Sequence, residues 1–167
     1  MRNPLRITIA AVITVAMVTL GAGTASAATS GAHFQSPPTG TVNNDGALVA
    51  SWDEAGLGNQ NVTYTLTADA TATYACINGG GNHPKAANKE TVQGQVSAGG
   101  SFQAKNGRVQ ASLTTGPLSA GSFSCPSGQS LVLACVSYTS ILLADTTNNV
   151  TATIPDVSRT FVAIKGC

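Results

Sequence analysis

The sequence predicts an all-β protein: an antiparallel, immunoglobulin-like β-sandwich with Greek-key connections, about seven or eight strands and two disulfides, made as an exported precursor. Three observations carry this. Between Val62 and Cys76 every even position is apolar or small and most odd ones are threonine or aspartate, the period of a strand with one face on a core and the other in water. Clusters of Gly, Asn and Pro punctuate the rest of the chain between short β-rich runs, and no helical stripe competes with them. Cys76, Cys125, Cys135 and Cys167 all follow an export signal, so the default is two disulfides formed in an oxidising compartment.

The export signal itself occupies the start of the chain. Arg2 and Arg6 give a positive beginning, residues 7–20 are apolar but for threonines, and Ala25-Ser26-Ala27 is a cleavage signal, which together mark 1–27 as a secretory leader. Its apolar run falls short of the roughly 20 residues of a membrane span. Residues 28–46 then read as an extension and first turn, and 47–167 as a single domain, of a size that buries a little under about 70% of its unfolded surface. The product is expected to be soluble and extracellular, with no membrane span. Two of the eight basic residues leave with the leader, so six remain against seven acids, a net charge of −1. With 9% charged residues and no basic cluster, nucleic acid is excluded as a partner.

Strands are expected at 47–52, 62–76, 91–97, 101–104, 108–114, 130–143, 149–154 and 159–165. The ribbon at 62–76 is read as one long strand bent near Asp69, because Asp69-Ala70 lacks the chemistry of a tight hairpin. Turns are expected at 43–46, 56–60, Gly99-Gly100, Asn106-Gly107, 125–128 and 146–149, with Asn106-Gly107 the clearest hairpin. The segment 130–143 is apolar on both phases at its centre, as a strand covered on two sides should be. Trp52, the only tryptophan, is expected to anchor the core. Tyr64 and Tyr74 should pack inward, and Tyr138 can serve as a corner tyrosine.

For the disulfides, Cys76–Cys125 and Cys135–Cys167 are the favoured pairs: the first joins the end of one strand to the approach of another, and the second ties the terminus to a central strand. No metal spacing occurs among the cysteines, and neither metal nor cofactor is expected. There is no G-x-S-x-G elbow, H-E-x-x-H helix or phosphate cradle. Asp53-Glu54 is the sole adjacent carboxylate pair, but strand neighbours point to opposite faces and would not share a substrate. Asn61-Val62-Thr63 and Asn149-Val150-Thr151 match the glycosylation pattern, as a Ser/Thr-rich chain does by chance.

One segment departs from the packing grammar. "NGGGNHPKAANKE", 78–90, holds three consecutive glycines, a histidine, a proline and two lysines, and a loop near a dozen residues in a compact domain suggests a role. Its candidate binding residues are Asn78, Asn82, His83, Lys85, Asn88 and Lys89. The competing reading is a solvated connector pinned at Cys76.

The stretches "YACINGGGNHPKAANKE", "CPSGQ" and "VSYTSILLADTTN" resemble small secreted β-sandwich proteins of actinomycetes, a resemblance that implies export and a sandwich and carries no activity. Enediyne apoproteins share the expected architecture and two disulfides, but not motifs. The secreted subtilisin inhibitors have a Gly-x-His-Pro segment similar to Gly81-Asn82-His83-Pro84, but here the cysteine that would close that loop is missing and no reactive-site loop is recognisable. The functional expectation is a non-catalytic extracellular module that binds a protein, glycan or cell surface through its end loops. The alternatives are a small-molecule carrier or protease inhibitor, and a small secreted hydrolase.

Overall fold

The computed structural model describes residues 31–79 and 88–167; the leader assigned to 1–27 lies outside them. Every regular element described is a strand, and the strands form two antiparallel sheets, as the alternating pattern requires. The short sheet is built on β3 (Leu48–Ala55), which pairs along its whole length with β6 (Arg108–Thr115). Its other edge carries β1 (His33–Phe34) and β2 (Thr39–Val42) in tandem. The region 28–46 therefore supplies two strands to the sheet besides the expected turn. There the Asn43 side chain accepts from the Asp45 and Ala47 amides, an Asx turn that closes the β2–β3 hairpin.

The long sheet runs β5 (Lys89–Gln103), β4 (Asn61–Asn78), β7 (Gln129–Asp145), with β8 (Val150–Ile154) and β9 (Val157–Thr160) in tandem on the far edge of β7. β4 is the ribbon predicted from Val62 onward. Val62, Tyr64, Leu66, Ala68, Ala70, Ala72 and Cys76 are buried on its inner face, and all but Cys76 join Leu48, Ala50 and Trp52 of the short sheet in one apolar core. Trp52 packs on Tyr64 with ring centroids 4.7 Å apart and planes tilted by 45°, and meets Phe102 edge-on at 5.5 Å, so the tryptophan is the expected anchor.

Three expectations are corrected. β5 is a single strand through Gly99-Gly100, where a turn was expected, and its register with β4 is unbroken from Gln103 to Lys89. Gly100 is small for a packing reason: a Cβ there would lie 2.9 Å from the Phe102 ring and 3.2 Å from Leu113. The turn at Asn106-Gly107 forms, with both residues at positive φ and Lys105 and Arg108 exchanging backbone hydrogen bonds. It is not a hairpin within one sheet, because β5 and β6 belong to different sheets and form no ladder; the isolated Lys105–Arg108 bridge belongs to the turn, beyond the end of β5. The final strand stops at Thr160 rather than at 165, after which the chain turns so that Cys167 reaches Cys135.

The apolar centre of β7 also has a different cause from the one expected. The β4–β7 ladder slips at Thr67/Asp69 and at Thr73/Tyr74, and each time the extra residue is on β7. The first bulge includes Ser140 at φ 52. Before it Ala134, Val136 and Tyr138 are buried, and after it Ile141, Leu143 and Asp145. A bulge inserts one residue and so switches the phase of the strand beyond it. The strand is thus covered on one side at a time, and Leu142 stays exposed.

Both disulfides take the expected connectivity, Cys76–Cys125 and Cys135–Cys167. They serve a mismatch between the sheets. β3 and β6 have 8 residues each while β4, β5 and β7 have 18, 15 and 17, so the long sheet overhangs the short one. The strand-free segment 116–128 covers the inner face of the overhang: Leu118 packs beside Gly94, the Tyr74 hydroxyl donates to the Leu118 carbonyl at 2.7 Å, and Cys125 bonds to Cys76.

Tyr138 is not the corner tyrosine expected, because its partner is the β2–β3 turn 92 residues back rather than backbone a few residues upstream. Its buried hydroxyl donates to the Gly46 carbonyl at 2.7 Å, tying β7 to the start of β3 across the core, and burial pushes its pKa up to about 12. Gly116, at φ 72, lies against the same ring, and a Cβ there would come within 2.5 Å of the hydroxyl. Replacing Tyr138 by Phe should cost about 1–2 kcal/mol in urea denaturation, because the Gly46 carbonyl loses a buried donor; an unchanged midpoint would contradict that role.

Candidate functional site

The ends of the sandwich differ in chemistry. At the overhanging end, Asn78 closes β4 opposite Gln129 and is exposed. Asn88 is held by its backbone, its carbonyl accepting from the Cys76 amide at 3.0 Å. Lys89 opens β5 and donates through Nζ to the Lys165 carbonyl at 2.8 Å, so this cation is spent in part on pinning the C-terminal tail. Asn82, His83 and Lys85, the remaining candidates, lie outside the described residues. The structure therefore brings Asn78, Asn88 and Lys89 to one stapled rim, beside Cys76–Cys125 and the tail that carries Cys167. On the outer face close by, a depression of about 220 Å³ is lined by Thr71, Thr73, Ser137, Ser158, Arg159 and Thr160, among others. Five hydroxyl residues line it, two of them from β4, whose outward positions are threonines.

The opposite end holds a buried polar cluster that the sequence pattern alone does not assemble. Glu54 is fully buried, and neither of its carboxyl oxygens has a hydrogen-bond partner. Burial raises its pKa to about 7; the nearby Tyr64 hydroxyl opposes the rise without meeting hydrogen-bond geometry, and the Asp145 carboxylate adds to it. Burial likewise drives the Tyr64 hydroxyl upward, and Trp52 Nε1 is also buried without a partner. Asp145, paired with Tyr64 across the ladder, is well satisfied: it accepts from the Thr147 and Asn148 amides and from Asn148 Nδ2. It thereby caps the expected turn at 146–149, while Gln60 donates to Asn148. The signal for Glu54 was present in the sequence. Alternation along Leu48, Ala50 and Trp52 puts position 54 on the inward face.

Its neighbour Asp53 points outward, as strand geometry requires, to Arg108 and Gln110. Hydrogen bonds from these side chains, Arg108 first, lower the Asp53 pKa to about 2. The two adjacent acids thus have opposite perturbations and share no space.

None of the family models, curated proteins or solved structures compared with this chain matches it. Among the described residues no group of three or more His, Cys, Asp or Glu is placed to hold a metal ion, and no helix is long and apolar enough to cross a membrane. The chemistry of the two ends therefore carries the functional reading. An acid with a pKa near neutrality is the usual mark of a catalytic carboxyl. Glu54, however, is sealed at 0% exposure, and so has no surface to offer a substrate. Its chemistry is that of a stability-linked group.

Proposed function

We propose that this protein is a secreted, non-catalytic binding module that engages an extracellular protein, glycan or cell surface with the connection at 78–90. The observation that carries the reading is the stapled overhang. Three long strands extend past the short sheet, and both disulfides tie other segments of the chain to that extension. Such a frame fixes where the β4–β5 connection leaves the fold, and a fixed origin lowers the ordering cost that a binding loop pays. The hydroxyl-lined depression on the adjoining outer face extends the polar surface available to a ligand. The perturbed acid gives the hydrolase alternative no support, because Glu54 is enclosed.

The test replaces residues 79–88 with a Gly/Ser linker of equal length, leaving Asn78 and the Lys89–Lys165 contact in place. Parent and variant are applied to immobilised cell-wall polysaccharides, soluble glycans and extracellular proteins. The expected result is at least a tenfold loss of binding to whatever the parent retains, with an unchanged circular dichroism spectrum. Equal binding by the variant would remove the loop from the reading, and turnover of any ester, glycoside or peptide by the parent would replace the reading.

A further inference from the structure

The outermost strand of the long sheet has one edge that no described strand covers: β5 pairs with β4 alone. The orientation of that edge is set by two bonds at its ends. The Cys76 amide donates to the Asn88 carbonyl and the Ala104 amide to the Gln60 carbonyl. Hydrogen-bonded pairs alternate along an antiparallel ladder, and the β4–β5 register runs unbroken between those ends. Even-numbered residues of β5 therefore bond to β4, while odd-numbered ones turn their N–H and C=O groups to the open edge. The Ser97 carbonyl agrees, since it accepts from the Thr115 hydroxyl of the other sheet.

Thr91, Gln93, Gly94, Gln95 and Ser97 are exposed. Soluble proteins guard such an edge with charge, proline or a bulge. From Thr91 to Gln103 this strand has no charged residue and no proline, and its ladder has no bulge. Its sequence reads Thr91-Val92-Gln93-Gly94-Gln95-Val96-Ser97, nearly the same in both directions about Gly94.

We propose that the open edge of β5 pairs antiparallel with the same edge of a second copy of this chain, about a two-fold axis at Gly94, joining the two long sheets into one. The near-palindrome is what selects a second copy as the occupant. A two-fold interface sets each residue against its mirror position, so Gln93 faces Gln95, Val92 faces Val96 and Thr91 faces Ser97. On the outer face each glutamine amide offers both donor and acceptor to its opposite number. On the inner face valine meets valine, a pairing that suits a pleated surface. The charged residues at the strand's start meet no like charge: Glu90 falls opposite Ala98 and Lys89 opposite Gly99. About six backbone hydrogen bonds are available to the odd-numbered residues once the Ser97 carbonyl of each copy, held by Thr115, is set aside. So short an interface gives a dimer of micromolar rather than nanomolar strength.

Sedimentation of the mature chain should show a monomer near 1 µM and a dimer near 100 µM. Two variants fix the register: Q93K with Q95K places lysines opposite lysines, and Q93E with Q95E does the same with glutamates. Both positions are solvent-facing, and each variant should fold and remain monomeric at about 100 µM. Mixed in equal amounts, the two should form a heterodimer. A parent that stays monomeric to about 500 µM overturns the proposal. So do variants that dimerise like the parent, or a mixture that does not associate.

Discussion

Replacing Glu54 by glutamine should make the protein more stable at pH 8 by about 3 kcal/mol, with the advantage disappearing below about pH 5. The sign depends on where the proton sits. Burial raises the folded-state pKa from 4.5 to about 7. Between those values the folded chain keeps a proton that the unfolded chain has released, so stability falls as pH rises through that window and then levels off. At pH 4 both forms of the chain hold the proton, and acid and amide are nearly equivalent. Urea denaturation of parent and variant at pH 4, 6 and 8 reads the effect directly. Parallel pH profiles would show that Glu54 gains compensation in the folded state. The Asp53–Arg108 contact titrates in a separate window: its stabilisation is present above pH 3.8 and is lost as pH falls through about 2, so it cannot mimic the Glu54 signature.

Loss of the Cys76–Cys125 bond in a C76A/C125A variant should cost roughly 4 kcal/mol, a large share of a typical domain's total stability. The bond closes a loop of 49 residues, against 32 for Cys135–Cys167. In the chain-entropy model the longer loop gives the larger, though only slightly larger, effect. The two removals differ more in what they uncover. Without Cys125 the 116–128 segment keeps only non-covalent holds on the overhang, and Tyr74, bonded to Leu118, loses its cover. The first variant should therefore bind a hydrophobic dye before it unfolds, while C135A/C167A should not. A loss under 1 kcal/mol in the first variant, or equal dye binding by both, would show that the segment holds without its staple.

How much of this was legible depended on whether packing altered the local pattern. β4 was readable because its sequence alternation holds its phase from Val62 to Cys76, and the disulfide pairing became clear once the strands bearing Cys76 and Cys135 were placed. β7 misled because its two bulges reside in geometry, not composition: nothing about Ser140 in the sequence announces φ 52. Gly99-Gly100 misled for the opposite reason, since a glycine that makes room for Phe102 and Leu113 looks the same in sequence as one that makes a turn. β1 and β2 are 2 and 4 residues long, too short to show a period. At the overhanging end the sequence isolated 78–90 by its composition, but not the Lys89–Lys165 bond, which needs the tail folded back. The Glu54 cluster joins positions from strands far apart in the chain, so only its inward phase could be read.

The two long sides of the sandwich are fastened unequally. On one, Arg159 crosses from β9 to the Val42 carbonyl and the Asn44 side chain while lying 4.9 Å over the Phe161 ring. On the other, the chain itself crosses: the turn at Asn106-Gly107 carries β5 into β6, Lys105 and Arg108 exchange backbone hydrogen bonds, and the Thr115 hydroxyl reaches across to Ser97. One seam is thus closed by the course of the backbone and the other by an arginine latch.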